Sequence, residues 1–350
     1  MPNTSNPLNE WLQGFREDPA VFPHQLDPIN RRLLLVKLTE TKIREAGFLD
    51  QRVLDGSEAG AWLALADALG AAPANPGPAG VILHCGHCGS TLISRLLGEL
   101  PGAWVLREPL TLHALAAEAR SRHGFAARLN DEEFSASWKL VQAALGRLPA
   151  GSTHAIVKHT SLTANLGPLL LEQAALPNVL CLWIPLEDYL ATMLRQAQLR
   201  EGVRLAAGEW IKDIAATLGE DCPRLADLGD AELAALNWTA AQLAFARTRD
   251  ADKARVRSWQ FGDFLADPET RLGEIALHFG LKVDSPALSR AMSSHWLRRY
   301  AKDPRFPFDA AARKQELASA RKRFAAEIRT GMRFSGKLRS ALALDPVHTA

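Results

Sequence analysis

The chain is poor in the features that would place it outside the ordinary soluble classes. It carries 4 cysteines in 350 residues (Cys85, Cys88, Cys181 and Cys222), too few to staple a chain of this size, which excludes a disulfide scaffold. No uninterrupted apolar run approaches membrane-spanning length, which argues against a membrane span. Met1 to Asp18 lacks an apolar h-region and carries acids, so no signal peptide is visible. There is no internal repeat and no low-complexity tract, which argues against solenoids and disordered arrays. The net charge is only +2, so bulk charge gives no reason to expect a nucleic-acid partner. The expectation is a soluble, cytoplasmic protein. Oligomeric state is not readable.

What is present is enough apolar residue, 47%, for one large α/β domain or one domain with a helical addition. Charge is unevenly spread. Arg290 to Arg339 holds 14 Lys/Arg against 4 Asp/Glu, a local +10 in a chain of total +2. A basic C-terminal segment suits a polyanionic small ligand, a solvated helix face or an acidic partner.

The most informative stretch is 79–92. Val81, Ile82 and Leu83 form a short apolar run of the buried-strand kind. Gly86 and Gly89 bracket a tight loop, Ser90 and Thr91 follow, and an amphipathic helix begins with Leu92, Ile93, Leu96 and Leu97 on its apolar side. Strand, glycine loop, hydroxyl pair and helix are the physical parts of a phosphate cradle. Glycines let the backbone approach, and the loop and helix N-terminus present N–H groups to the anion. The loop is not a Walker A sequence, because only two residues separate its glycines and no lysine precedes Ser90.

Other readings of this loop stay open. Cys85-Gly86-His87-Cys88 has the Cys-x-x-Cys spacing of disulfide oxidoreductases, although His84 replaces the usual Trp and the reading leaves Gly89-Ser90-Thr91 unexplained. A zinc site from His84, Cys85, His87 and Cys88 would crowd four ligands into five residues. A glycine turn that binds nothing needs no hydroxyl pair.

Beyond the loop, apolar runs alternate with helical segments. Strands are expected at Trp104–Arg107, His154–Lys158, Asn178–Ile184 and Arg255–Trp259. Helices are expected at about 132–147, 164–175, 187–200 and 231–249. The alternation predicts an α/β fold, a P-loop-type doubly wound parallel sheet flanked by helices, with ligands beyond the carboxyl ends of the strands. Residues 1–75 read as a mostly helical N-terminal addition, with Ala61–Leu69 as a helix. Residues 76–305 read as the core, and 306–350 as a basic helical tail. Pro73–Gly80 marks the linker by its Pro/Gly density.

Gly86-His87-Cys88-Gly89-Ser90-Thr91-Leu92 resembles the 5′-phosphosulfate loop of the sulfotransferase superfamily. The following helix with Arg95, then Pro101-Gly102 and Val105-Leu106-Arg107-Glu108-Pro109, continue the pattern. So does Ser258 to Leu281, where Asp267 reads as an N-cap, Pro268 as N1 and Gly280 as a C-cap. The resemblance covers roughly Gly80 to Tyr300. It implies 3′-phosphoadenosine 5′-phosphosulfate as donor and a small-molecule hydroxyl acceptor, with no metal. It implies donor contacts from Gly86, Cys88, Gly89, Ser90 and Thr91. The chain departs from the family at two positions. Trp183 stands where an arginine grips the 3′-phosphate, with Thr192 replacing a serine at a one-residue shift. His87 stands where a lysine or arginine faces the transferred group.

Group transfer of this kind rests on positioning and charge complementarity. The cation candidates are His87, Lys158 and Arg95. Glu108, ending a strand beside the cradle, is the preferred base for the acceptor hydroxyl, with His159 second. Tyr300 and Lys302 are candidates to reach the nucleotide from the basic region. The alternatives are an ATP-dependent phosphotransferase, against which no strand ends in a Walker B aspartate, and a non-catalytic nucleotide-binding protein.

Overall fold

The computed structural model describes residues 7–172, 177–298 and 310–344. Tyr300 and Lys302 lie outside the described residues. Two sheets organise the chain. Strands β1 (Val21–Asp27), β2 (Arg32–Lys37) and β3 (Gly60–Ala64) form an antiparallel sheet in that order. Strands β4 (Gly80–His84), β5 (Ala103–Arg107), β6 (His154–Lys158), β7 (Asn178–Trp183) and β8 (Val256–Gln260) form a second sheet in the order β5-β6-β4-β7-β8. All of its pairings are parallel.

The second sheet follows from its sequences. Every residue of β4 and β5 is buried, as continuous apolar strands covered on both faces must be. Helices Ser90–Gly98, Thr111–Ser121, Asp131–Leu145, Leu186–Leu194 and Asp230–Ala251 lie between or after these strands. Their starts are chemically marked. Asn130 and Glu133 form a capping box, and Asp267 accepts from the Thr270 N–H with Pro268 in the first turn. Gly280, at φ +83°, ends that helix, a conformation glycine adopts without Cβ strain.

Four expectations need correction. The N-terminal region, read as mostly helical, contains the β1-β2-β3 sheet. Its Leu33 and Leu35 are fully buried while the intervening Leu34 is half-buried, a strand alternation rather than a helical stripe. The expected helix Ala61–Leu69 is split. Residues 61–64 pair with β2, and only Leu65–Gly70 is helical. Alanine-rich composition pointed to helix, and pairing with a neighbouring strand overrode it. The helix expected at 187–200 is broken at Gln196, whose backbone is extended; Ala197–Leu218 forms a separate 22-residue helix. The segment at 164–170 is a 3₁₀ turn, Ser161–Leu166, followed by one helical turn.

The N-terminal region is stitched to the end of β5. The Leu49 N–H donates to the Arg107 carbonyl (2.7 Å), and the Leu110 N–H donates to the Leu49 carbonyl (3.2 Å). Arg147 is buried and donates to the carbonyls of Phe15, Asp18 and Val21. At the other end of the chain, helix Ala325–Ala341 lies close against helix Asp230–Ala251, where Thr239 Oγ1 and Ser335 Oγ are 2.8 Å apart. Among the described residues, no helix is long and apolar enough to cross a membrane.

Candidate functional site

The central strand β4 ends at His84 and hands the chain to the glycine loop. Gly86 (φ +85°), His87 (+52°) and Gly89 (+76°) all take left-handed conformations. Three such residues within four positions turn the chain tightly between β4 and the helix that follows. Gly89 is the N-cap of helix Ser90–Gly98 and provides no side-chain cap. The first-turn N–H groups, which have no intrahelical partner in any helix, therefore have no N-cap side chain either, and the positive end of the helix dipole sits at the loop. The Thr91 hydroxyl is buried and makes no hydrogen bond among the described residues. Ser90 is buried beside it, and His87 is half-buried.

Neighbours narrow the loop from two sides. A Cβ placed on Gly86 would lie 3.5 Å from Ser161 Oγ and 4.0 Å from the Tyr189 hydroxyl. Ser161 and Tyr189 thus stand beside the loop, and Asn237 Nδ2 donates to the Tyr189 oxygen. Burial pushes the Tyr189 phenol up, so it is a neutral group at physiological pH. The sequence reading missed these three residues. The only signal was positional, since Ser161 follows the end of β6 and Tyr189 lies one turn past β7.

Two of the expected catalytic residues meet directly. The Lys158 ammonium donates to Glu108 Oε1. Lys158 is fully buried and Glu108 is 9% exposed. Lys158 ends β6 opposite Arg107 of β5, one residue before Glu108. Glu108 has φ +55°, uncommon for a residue with a Cβ, and its N–H donates to the Lys158 carbonyl at 2.7 Å. Strain of this sort costs about 1–3 kcal/mol and collects at functional sites. His84 Nε2 lies 3.9 Å from Glu108 Oε1. His159, the second candidate base, is 1% exposed, with Nδ1 3.2 Å from Thr163 Oγ1. Burial lowers it to about 4, so it is neutral at pH 7.

Other expected residues are engaged elsewhere. The Arg95 guanidinium donates to the Glu45 carbonyl (2.7 Å) and lies over the Trp296 ring at 4.0 Å. Five residues past Ser90 puts it roughly 140° round the helix, so it anchors the N-terminal segment rather than the cradle. The Cys88 thiol turns toward the Leu182 carbonyl (3.4 Å), which leaves only its backbone to the loop. Thr192 donates back to the Asp188 carbonyl of its own helix (2.8 Å). Trp183 is 5% exposed, with its indole N–H unpartnered among the described residues. Arg195 pairs with Glu316.

The thiol-redox reading meets a physical obstacle. Cys85 and Cys88 are both fully buried free thiols. Burial pushes the Cys85 thiol well up, and the neighbouring Cys88 adds to the shift. Reactive cysteines have the opposite environment. Titration of the native protein with a thiol reagent should therefore modify the half-buried Cys222 first. Cys85, Cys88 and Cys181 should react only on unfolding. Rapid modification of two native thiols, lost in Cys88→Ser, would restore the redox reading. Among the described residues, no group of three or more His, Cys, Asp or Glu is placed to hold a metal ion.

No family model and no curated protein matches the chain. Solved structures similar to it are sulfotransferases. A sulfotransferase domain from the curacin biosynthetic pathway is 13% identical, with 71% of this chain and 98% of that one covered at a TM-score of 0.40. A sulfotransferase from Alicyclobacillus acidocaldarius is 10% identical, with 77% and 97% covered and a TM-score of 0.34. A sulfotransferase from Mycobacterium tuberculosis H37Rv is 17% identical, with 72% and 77% covered and a TM-score of 0.36.

Proposed function

We propose that the protein is a sulfotransferase-like enzyme that transfers a sulfuryl group from 3′-phosphoadenosine 5′-phosphosulfate to the hydroxyl of a small molecule. One observation carries this reading. An uncapped helix behind a left-handed glycine loop sits beside a buried carboxylate–ammonium pair, all at the carboxyl ends of the adjacent strands β4, β5 and β6. An anion cradle, a cation and a base are the parts that such a transfer requires.

The residues present fit the phosphosulfate end of the donor. The N–H groups of the first helical turn and the hydroxyls of Ser90 and Thr91 would hold it, and the orphaned Thr91 hydroxyl supports that role. The donor, when bound, supplies the activated sulfuryl group. Lys158 would offset negative charge near the bridging oxygen, assisted by His87. Glu108 would accept the proton of the acceptor hydroxyl. Because Lys158 and Glu108 hold each other, the two roles are linked. When the ammonium turns toward the donor, the carboxylate is released for the acceptor proton. Sulfuryl transfer by these means requires no metal ion.

The 3′-phosphate end fits less closely, given buried Trp183, the self-bonded Thr192 and the paired Arg195. Calorimetric titration with 3′-phosphoadenosine 5′-phosphate, alongside ATP with magnesium, tests the donor. The expected result is binding of the bisphosphate in preference to ATP. Preference for ATP would replace the donor, and binding of neither would overturn the donor assignment.

A further inference from the structure

His84 is the last residue of β4 and is 5% exposed. Its Nδ1 accepts the Gly86 N–H at 3.0 Å, and its Nε2 lies 2.8 Å from the His159 carbonyl oxygen. A ring nitrogen that accepts from an amide carries no proton, and one that faces a carbonyl must carry one. Both contacts together select the neutral tautomer with its proton on Nε2. The same Nε2 lies 3.9 Å from Glu108 Oε1.

The contacts span separate elements. Gly86 belongs to the loop, His159 follows β6 directly after Lys158, and Glu108 follows β5. The backbone ladder between β4 and β6 ends where the His159 N–H donates to the Ile82 carbonyl (3.0 Å). The imidazole adds one more rung beyond it. The Gly86 N–H is thereby tied back to the end of β4, which helps to hold the left-handed bend at Gly86 and His87.

We infer that His84 is a positioning residue, one that locks the glycine loop through Gly86 and holds it in register with the strand end that carries Lys158, alongside Glu108. This rests on the reading of the loop as a donor cradle, and two measurements separate the claims. The first needs no nucleotide. Hydrogen exchange at the Gly86 amide should be slow in the free protein and at least tenfold faster in His84→Ala, which leaves that N–H without its acceptor. In His84→Asn the side-chain oxygen can accept an N–H two residues on, as in an Asx turn, and exchange should stay slow. Unchanged exchange in His84→Ala, or equally fast exchange in His84→Asn, overturns the lock.

The second measurement divides binding from turnover. His84→Asn should bind 3′-phosphoadenosine 5′-phosphate within about threefold of the parent yet lose at least tenfold in kcat, since asparagine does not reproduce the contact to His159 beside the reacting pair. His84→Ala should lose in both binding and kcat. A role confined to stability would lower neither kcat nor affinity in the folded fraction, and that outcome overturns the proposal. If the parent binds no nucleotide at all, the donor assignment fails while the exchange result still decides the lock.

Discussion

Lys158→Met will destabilise the protein by about 3–5 kcal/mol, because it strands the Glu108 carboxylate in a largely buried site. Glu108→Gln will do comparable damage by leaving the fully buried Lys158 ammonium without its anion. The pair replaced together, Lys158→Met with Glu108→Gln, removes both charges and should recover much of the lost stability. Activity should not recover. Each single change and the double change should lower kcat by roughly 10²–10⁴, the range expected for loss of a general base or of a charge facing the transferred group. Denaturant unfolding of the four proteins and turnover of an identified acceptor give the two axes. Three variants that lose stability and activity in strict proportion would reduce the pair to a scaffold contact. A stable double variant without activity would place the pair in the chemistry.

Gly89→Ala is the second large effect, and it contrasts with Gly86→Ala. Both glycines have left-handed φ, +76° and +85°, so either alanine pays a backbone penalty of roughly 1–2 kcal/mol. The surroundings differ. At Gly86 the nearest atom to a new Cβ is Ser161 Oγ at 3.5 Å, an ordinary contact. At Gly89 the new Cβ would lie 2.0 Å from a ring carbon of Phe261, which is 6% exposed and packed against Phe264. The ring or the loop has to move, adding about 1–3 kcal/mol. Gly89→Ala should therefore cost several kcal/mol and abolish bisphosphate binding, while Gly86→Ala should fold with a modest loss. Phe261→Ala is itself destabilising, as removal of a buried ring must be. Added to Gly89→Ala, it should cost less than the sum of the two single changes, because it clears the space the methyl needs. Strict additivity in a thermal or urea double-mutant cycle would show that the clash does not govern this glycine.

How much of this was legible beforehand depends on the range of the interactions. The loop, its glycines, its hydroxyl pair and the helix behind it are contiguous, so a reading of 79–92 located them. The central strands of the parallel sheet were visible for a related reason. Val81-Ile82-Leu83 and Val179-Leu180-Cys181-Leu182 are apolar without alternation, the mark of strands covered on both faces. The β1-β2-β3 sheet was not visible, because Leu33-Leu34-Leu35-Val36 suits helix or strand equally until a partner pairs with it. Arg95 sits in the right helix on the wrong side for the cradle, a rotation that its contacts to the Arg44 and Glu45 carbonyls and to Trp296 reveal. Ser161 and Tyr189 carry no motif of their own, and His84 was legible only as a candidate ligand beside the Cys-x-x-Cys; the neighbours in space mark all three.

By itself the sequence determined the alternation of buried strands with helices and the position of a glycine loop between β4 and its helix. Both depend on residues within a few positions of each other, where backbone preference and apolar period act directly. The tertiary structure decided that Lys158 and Glu108, 50 residues apart, form one ion pair, that Arg95 serves the N-terminal segment, and that His84 binds both the loop and the neighbouring strand end. Those outcomes depend on which strand ends lie side by side and on which charges lose their water together, and local preference carries no information about either.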